Sequence, residues 1–428
     1  MKKRKYAIKK IILTTFLAAG TLMLTSCGKS KEQDKNTIKV YTMQTDLDED
    51  LKKYAEDFEK KNPGYKVEIS TEYQSYSQRL LMDLTAGICP DVIEVDESIP
   101  RDLYDYNLQP IGEKSDLEKQ YRYLSGSTID GKVYTLPLGV TVEGGVLYDQ
   151  TVLKQAGITE LPKTPEELEE MLVKISDGTK DQDIIPLYTC YKQQTSMTGW
   201  NPLATSLKAN TNFEQEYMNL KNPFENQTVF QRTYKVLYDA NKKKLTEIGR
   251  GNMDSVWEEA EKFLKQHKIG AVVASANEAE ELIEEHPDEY VYQPFTAEDG
   301  KQYLQMEPQY GLGISRTCKN PELAKKWIAY LYQDTDYLEK CQASYMRTDK
   351  EDSKLVQTIQ NQGIQIMNPV EYKQDDIKAY EEKVTNSELA VDSGYLGWHL
   401  IDLMSSKDWS YDEICKRWNE SWNAKSES

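Results

Sequence analysis

The sequence is poor in the residues that most often build metal centres and disulfide frameworks. It has three histidines among 428 residues, and its six cysteines are scattered without any CxxC spacing. Zinc knots need closely paired ligands, and small disulfide-stabilised domains need a higher density of cysteine. We therefore expect no metal site, no bound cofactor and at most two disulfide bridges.

Positive charge and phenylalanine are also scarce. There are 53 Lys and Arg against 71 Asp and Glu, a formal net charge of -18. Such a field repels the phosphates of nucleic acids, so we expect no nucleic-acid partner. Seven phenylalanines stand beside 29 tyrosines and seven tryptophans. Tyrosine rings can stack on a flat, hydroxylated ligand, although a hydrophilic surface would also favour tyrosine over phenylalanine.

Long apolar runs are absent after the first 27 residues. A basic head precedes an apolar run over residues 11–24, and Leu24-Thr-Ser-Cys27 follows. This arrangement is typical of a secretory signal peptide, and the cysteine makes it resemble a bacterial lipoprotein signal. The resemblance implies that residues 1–26 are removed, that Cys27 is acylated, and that residues 27–36 form a flexible tether. We expect membrane attachment through this lipid alone, since no later run reaches about 18 residues.

The remaining chain alternates between strand and helix patterns. Strand patterns at residues 37–42, 66–70 and 90–95 enclose helical patterns at residues 48–60 and 75–84. Such units build parallel α/β sheets, and about 390 residues are enough for two domains. Ligands bind beyond the carboxyl ends of these strands, where Gln44, Tyr73 and Asp96 stand.

A second pattern concerns the junction between the two domains. Gly144 and Gly145 interrupt the extended apolar run at residues 141–148. Glycine weakens a strand and often marks a bend. We therefore predict a hinge here, where the chain crosses between domains.

Several motifs, in a consistent order, resemble those of a known family. They are AGICPDV at 86–92, GKVYTLP at 131–137, LYDQTVLKQAG at 147–157, PKTPEEL at 162–168, IGAVVA at 269–274 and GLGISRTCKNPELA at 311–324. Together they resemble the extracellular solute-binding proteins of ABC importers, with the maltose-type, carbohydrate-importing branch closest in appearance. The resemblance covers most of the chain after the tether.

The resemblance implies a periplasmic-binding-protein-like α/β fold of type II. Two α/β lobes joined by a hinge would close around a solute in a central cleft. Lobe 1 would comprise residues 37–142 and 297–338, and lobe 2 residues 143–296 and 339–428. The implied partners are a small solute, most readily a sugar, and the transmembrane subunits of a permease. A monomer is the family expectation.

The resemblance also places several loops at the ligand. Polar side chains suited to sugar hydroxyls are Gln44, Asp96, Glu143 and Asn277, with Ser275 nearby. Aromatic rings suited to the apolar face of a sugar are Tyr73, Tyr188, Trp200 and Trp398, with Tyr395 nearby. Each of these side chains could instead serve the core, a helix cap or the surface.

Two other hypotheses stay open at this point. Secreted thiamine-cleaving enzymes share the two-lobe architecture and use a cysteine nucleophile in the cleft. As we align those enzymes, residues 138–142 lack the expected cysteine, and Cys190 is the remaining candidate. A sensor or adhesion lipoprotein that retained the fold is the other alternative.

Overall fold

The structure is a computed structural model that describes residues 35–96, 98–180, 182–192, 194–210, 212–391 and 394–424. Its strands are β1 (Thr37–Thr42), β2 (Lys66–Thr71), β3 (Val92–Val95), β4 (Leu108–Gln109), β5 (Gly112–Glu113), β6 (Thr128–Ile129), β7 (Lys132–Val133), β8 (Thr135–Pro137), β9 (Val140–Glu143), β10 (Val146–Asp149), β11 (Ile185–Tyr188), β12 (Ile269–Val273), β13 (Tyr290–Gln293), β14 (Tyr303–Pro308), β15 (Gly311–Ser315) and β16 (Gln365–Met367).

Helices connect these strands and dominate the C-terminal part. They are α1 (Asp48–Lys61), α2 (Tyr76–Ala86), α3 (Tyr104–Asn107), α4 (Lys114–Leu117), α5 (Gln150–Gln155), α6 (Pro165–Gly178), α7 (Trp200–Ser206), α8 (Phe213–Asn219), α9 (Val229–Lys242), α10 (Trp257–Leu264), α11 (Glu280–Glu285), α12 (Pro321–Asp334), α13 (Tyr337–Lys340), α14 (Lys354–Asn361), α15 (Gln374–Ser387), α16 (Tyr395–Lys407) and α17 (Tyr411–Trp422).

The first lobe is built on a sheet with the strand order β2-β1-β3-β15-β4, in which β8 also pairs with β15. β1 pairs in parallel with β2 and β3, which confirms the predicted strand-helix-strand units. β15 runs antiparallel to β3 although it lies far away in sequence. α12 follows β15, and its Trp327 meets Phe58 of α1 edge-on at 5.3 Å. Early and late segments thus share one core.

The second lobe is built on a sheet with the order β11-β12-β10-β13. β11 and β12 are parallel, and β10 runs antiparallel to both of its neighbours. α6 begins where the sequence predicts, because the Thr164 hydroxyl accepts a hydrogen bond from the Glu167 amide and Pro165 occupies the first turn. Leu168 of α6 and Leu237 of α9 are fully buried in the core of this lobe.

A third sheet, which we call the hinge sheet, has the order β16-β14-β9. β9 continues into β10 of the second lobe, and β14 leads into β15 of the first. The predicted bend lies between β9 and β10, where Gly144 has a φ of +97°. A Cβ at Gly144 would lie 3.1 Å from the carbonyl oxygen of Pro202, so glycine suits both the backbone conformation and the close approach.

The contacts after residue 338 differ from the predicted division. Lys340 Nζ lies 2.6 Å from the Asp50 carboxylate of the first lobe, and Arg122 Nη1 lies 3.0 Å from Asp352. Lys354 then pairs with Glu284 of α11 at 2.7 Å. The segment just after residue 338 therefore contacts the first lobe. Contacts with this lobe return after β16, where the Glu371 carboxylate accepts a hydrogen bond from the Gly131 amide at 2.7 Å.

The predicted signal, tether and acylated cysteine concern the N-terminal region. Residues 1–34, including Cys27, lie outside the described residues. Within the described ranges, no helix combines the length and apolarity that a membrane crossing requires. The same ranges hold no cluster of three or more His, Cys, Asp or Glu side chains that could bind a metal ion.

Candidate functional site

A cavity of about 780 Å³ lies between the lobes, above the hinge sheet. This volume falls in the range of about 300–1,000 Å³ that is usual for small-molecule sites. Its chemistry is set by carboxylates, one guanidinium and aromatic rings. Among the described residues these lining groups are Asp96, Glu143, Glu214, Glu278, Glu307, Glu381, Arg101, Tyr104, Phe213, Tyr310 and Tyr372.

The hinge sheet supplies the polar floor of this cavity. Thr141 and Glu143 of β9 lie opposite Glu307 and Gln305 of β14 in an antiparallel register. Directly opposed residues share a face, and alternate residues along a strand do so too. The intervening Val142 and Met306 are about 1% exposed and belong to the core. One face of the sheet thus packs inward while the other presents carboxylates to the cleft.

Burial shifts the titration of the two floor carboxylates. Burial, with a smaller contribution from the negative charge of Glu278, raises the pKa of Glu143 to about 7. Burial also raises the pKa of Glu307 to about 8; Arg101 opposes this shift, while Glu214 and Glu143 add to it. At neutral pH the Glu143 carboxyl is therefore divided between its neutral and ionised forms, and the Glu307 carboxyl is mostly neutral. They can therefore donate or accept hydrogen bonds.

Arg101 links the two walls of the cleft. Its guanidinium lies 3.5 Å from Glu214 of α8 in the second lobe. The same group lies over the ring of Tyr372, 4.1 Å from the ring centroid. Such contacts fix the plane of the guanidinium and leave its remaining N–H groups available for hydroxyl oxygens of a ligand.

Glu94 holds the end of β1 at the rim of the first lobe. It is fully buried and accepts hydrogen bonds from the Thr42 hydroxyl, the Met43 amide at 2.8 Å and Gln44 Nε2 at 2.9 Å. This arrangement orders Met43, which lines the cavity. The predicted ligand Gln44 is not among the described residues that line the cavity, and its side-chain amide donates to Glu94.

The structure brings some predicted polar residues to the cleft. Asp96, Glu143 and Ser275 line the cavity. Asp96 is oriented by hydrogen bonds from the Ser77 hydroxyl at 2.6 Å and the Ser98 amide at 3.0 Å. Asn277 instead holds the edge of the hinge sheet: it accepts from the Val142 amide at 2.7 Å and donates to the Val140 carbonyl at 3.1 Å.

The predicted aromatic residues lie elsewhere. Tyr188 and Trp200 are 0% and 1% exposed, since the former packs on Phe263 and the latter stacks on Tyr234 in the protein core. Tyr73 is 71% exposed and outside the cavity lining.

Trp398 also stands away from the cavity wall. It is half-buried and stacks on Tyr191, with 6.0 Å between ring centroids, beside Tyr395. Neither Trp398 nor Tyr395 is among the residues that line the cavity.

Sequence reasoning missed two residues that line the cleft at the end of β14 and in the short connection to β15. Glu307 and Tyr310 flank Pro308 and Gln309, just before the apolar strand β15. A carboxylate at the end of a mostly apolar strand was the available signal. For Arg101 and Tyr372 the sequence carries no comparable signal, because only tertiary contacts bring them together.

Comparison with known proteins gives the family. The profile of the bacterial extracellular solute-binding proteins matches residues 44–336, which is more than half of the chain. The chain belongs to this family. The match extends over both lobes and includes the whole hinge connection between β9 and β10.

Two curated relatives share low sequence identity with this solute-binding protein. The multiple sugar-binding protein of Streptococcus mutans is 27% identical over 229 residues, and this match spans 50% of the chain and 52% of that relative. The maltodextrin-binding protein MdxE of Bacillus subtilis is 24% identical over 379 residues, with 82% of the chain and 84% of the relative covered. The chain thus spans about half the length of the first relative and most of the second.

Solved structures share the two-lobe fold. A mannobiose-bound binding protein of an ABC transporter from Bifidobacterium animalis subsp. lactis superposes with a TM-score of 0.70 at 24% identity, covering 90% of this chain and 93% of that one. A mannotriose-bound, manno-oligosaccharide-specific binding protein from the same organism gives 0.69 at 23% identity, covering 91% and 95%. The type II periplasmic-binding-protein-like fold with two lobes and a hinge is thereby confirmed.

Proposed function

We propose that this solute-binding protein captures an oligosaccharide in the cleft between its lobes and delivers it to an ABC permease. The observation that carries the proposal is the lining of the cavity. Rings of Tyr104, Tyr310 and Tyr372 stand beside Asp96 and Arg101 on one side of the cleft. A sugar offers an apolar ring face for stacking and hydroxyl groups for hydrogen bonding, so both kinds of surface are needed.

The named relatives support this choice of solute class. Two curated relatives carry names for sugar and maltodextrin binding, and similar structures hold mannobiose and mannotriose. The cavity volume of about 780 Å³ suits a ligand of this size.

The proposal involves no covalent step on the solute. No cysteine is among the described residues that line the cavity, and Cys190 is 0% exposed within the core. A thiamine-cleaving mechanism of the kind considered above needs a cysteine nucleophile in the cleft.

The proposal includes a lipid anchor on Cys27 at the outer face of the cell membrane and a monomeric receptor. Metabolic labelling with a fatty-acid analogue tests the anchor: the wild-type chain should be labelled and Cys27→Ala should not. Equal labelling of both chains would contradict it.

Calorimetry of the purified protein against mannobiose, mannotriose and maltotriose tests the function. We expect at least one of these sugars to bind, and Tyr310→Ala to weaken that binding by about 1–3 kcal/mol, the scale of a buried aromatic contact. Tyr106→Ala is the matched control, because Tyr106 is 75% exposed and outside the cavity lining. Equal losses in the two variants would remove Tyr310 from the site, and binding of no saccharide would refute the function.

A further inference from the structure

The sheet of the first lobe has one end at the cleft and one end away from it. β1 and β3 run in parallel and lead into Met43 and Asp96, which line the cavity. The six residues of β1 place its first residue roughly 20 Å from that end. We call the far end, where β1, β2 and β3 begin and the antiparallel β15 ends, the base of the first lobe.

Exposed apolar side chains gather at this base. Met82 near the end of α2 and Ile88 just beyond it are each 70% exposed, and Tyr106 of α3 is 75% exposed. The two segments meet around one cavity of about 680 Å³, which residues 84–87, Leu103 and Tyr106 help to line. We call Met82, Ile88, Leu103 and Tyr106 the base patch. Large apolar side chains exposed side by side on a soluble protein indicate a contact surface.

The N-terminal chain enters the lobe at the same base. The Lys35 carbonyl accepts a hydrogen bond from Asn320 Nδ2 at 2.8 Å. Three residues earlier, Thr317 lines the cavity of the base patch, and its hydroxyl donates to the Cys89 carbonyl at 3.0 Å. Cys89 directly follows Ile88 of the patch. The segment 317–320 therefore connects the point of chain entry with the base patch.

The predicted lipid on Cys27 restricts how far this base can lie from a membrane. Lys35 follows Cys27 by eight residues. A chain of that length spans at most about 29 Å when it is fully extended. A contact between the base and the bilayer is then intramolecular, so its effective concentration is high and a small apolar surface is sufficient.

The charge of the base patch also suits a bilayer. The whole chain has a formal net charge of -18, which an anionic lipid surface repels. Among the described residues around the cavity of the patch, Asp102 and Asp105 are balanced by Arg316 and Lys378. The exposed positions at the end of α2, which are 81, 82 and 85–88, include no charged side chain. An approach through the base thus brings apolar groups and balanced charge to the headgroups.

We propose that the base patch lies in the interface of the membrane to which Cys27 is anchored, so that the lipid and the patch together hold the first lobe. The inference rests on the anchor in the proposed function. Met82 and Ile88 enter the boundary between headgroups and acyl chains, and Tyr106 keeps its hydroxyl among the headgroups. A permease has to receive the solute from the cleft, at the other end of these strands, so the bilayer suits the base better.

Methionine oxidation of the full, acylated chain tests this contact. The chain is reconstituted in vesicles of phosphatidylglycerol and phosphatidylethanolamine and treated with dilute hydrogen peroxide, and mass spectrometry follows each sulfoxide. Met218 and Met253 are internal controls from the second lobe, 40% and 41% exposed. Exposure alone makes Met82 the fastest of the three to react. On vesicles we expect Met82 to react about threefold or more slowly than both controls.

Variants locate the contact in the base patch. Ile88→Asp places a charge in the patch, and Met82 should then react faster than both controls on vesicles, as its exposure predicts. Tyr73→Asp is the matched control, because Tyr73 is 71% exposed and follows β2 at the opposite end of the sheet. This variant should leave Met82 protected. Thermal melting of each variant verifies that it is folded.

The outcomes separate the membrane contact from the anchor. If the acylated chain sediments with the vesicles but Met82 reacts faster than both controls, or if Ile88→Asp leaves Met82 protected, the contact is overturned and the anchor stands. A chain without an acyl group on Cys27 that stays in the supernatant overturns both. Protection of Met82 without vesicles that increases with protein concentration assigns the patch to a second copy of the chain and overturns the membrane contact.

Discussion

Each lobe contains a buried glutamate that holds a loop at the carboxyl end of a strand. Glu94 in the first lobe receives hydrogen bonds from Thr42, the last residue of β1, and from Met43 and Gln44 just after it. Glu247 in the second lobe is 1% exposed and receives them from the amide and hydroxyl of Thr189, just after β11, and from the Ser255 hydroxyl at 2.9 Å. The local construction is the same.

The two loops differ in what they reach. Met43 lines the cavity, whereas no residue at positions 189–192 does so. The loop held by Glu247 instead positions Tyr191, which stacks on Trp398. The comparison shows that a loop at the end of a strand does not line the cavity by virtue of that position alone. Whether it does so depends on the path of the loop relative to the hinge sheet.

The largest expected effect comes from removing these two glutamates. Glu94→Ala and Glu247→Ala should each lower the free energy of unfolding by about 2–4 kcal/mol, because each leaves several buried donors without an acceptor. Denaturant titration measures this loss. Only Glu94→Ala should also weaken saccharide binding, since only its loop reaches the cleft. Equal losses of saccharide affinity in the two variants would contradict the statement that only the loop held by Glu94 reaches the cleft.

A second contrast concerns how the stability of the wild-type chain and of Glu307→Gln, a variant at the floor of the cleft, depends on pH. Glu307 has a pKa raised to about 8 in the folded chain, above the ordinary unfolded value of about 4.3. The folded state therefore binds more protons between these values, and the stability contributed by protonated Glu307 is lost as pH rises through this window. Glu307→Gln mimics the protonated form, so it should be more stable than wild type at about pH 8.5, by at most the ~5 kcal/mol that the full shift in pKa allows, and nearly equal at about pH 4.5.

Chemical denaturation of both chains across this pH range measures the difference. Glu143→Gln should behave in the same way over a narrower window, because the pKa of Glu143 is raised only to about 7. Glu160→Gln, from an exposed loop, should track wild type at every pH. A constant gap between wild type and Glu307→Gln would contradict the assigned shift.

The hinge glycine can be compared with a glycine outside the hinge. Gly144 and Gly64 have φ values of +97° and +96°, but a Cβ at Gly64 meets nothing within 4 Å while one at Gly144 meets Pro202. Alanine at Gly64 should cost about 1–2 kcal/mol from backbone strain alone. Alanine at Gly144 should cost roughly 1 kcal/mol more from the close contact. Equal losses on thermal unfolding would show that α7 yields freely at the hinge.

The features of the fold that the sequence predicts are those that depend on local patterns. β1, α1 and the start of α6 follow from local patterns: alternation, helical spacing and the Thr164-Pro165 cap. Asp96 and the Gly144 bend were accessible for the same reason, since each lies directly at a strand end.

The rest of the site depends on pairing between distant segments. Glu307 reaches the floor because β14 pairs with β9, over 160 residues away in the chain. Trp200 and Tyr188 are buried in the core and lie outside the cavity lining. A ring beside polar residues has the same sequence pattern at a cleft wall and in a core. Only the packing around the ring distinguishes the two.

The smallest expected effect concerns the aromatic pair of the second lobe. Tyr191 and Trp398 stack with an interplanar angle of 19° and lie outside the cavity lining. A double-mutant cycle with Tyr191→Ala and Trp398→Ala should give a coupling energy of about 0.5 kcal/mol, at the low end for aromatic pairs because Trp398 is half-buried. Saccharide affinity should be unchanged in either single variant that remains folded. A tenfold loss of affinity in Trp398→Ala alone would place this ring at the ligand after all, and would mean that Trp398 joins Phe213 of the second lobe at the ligand only when the cleft closes further.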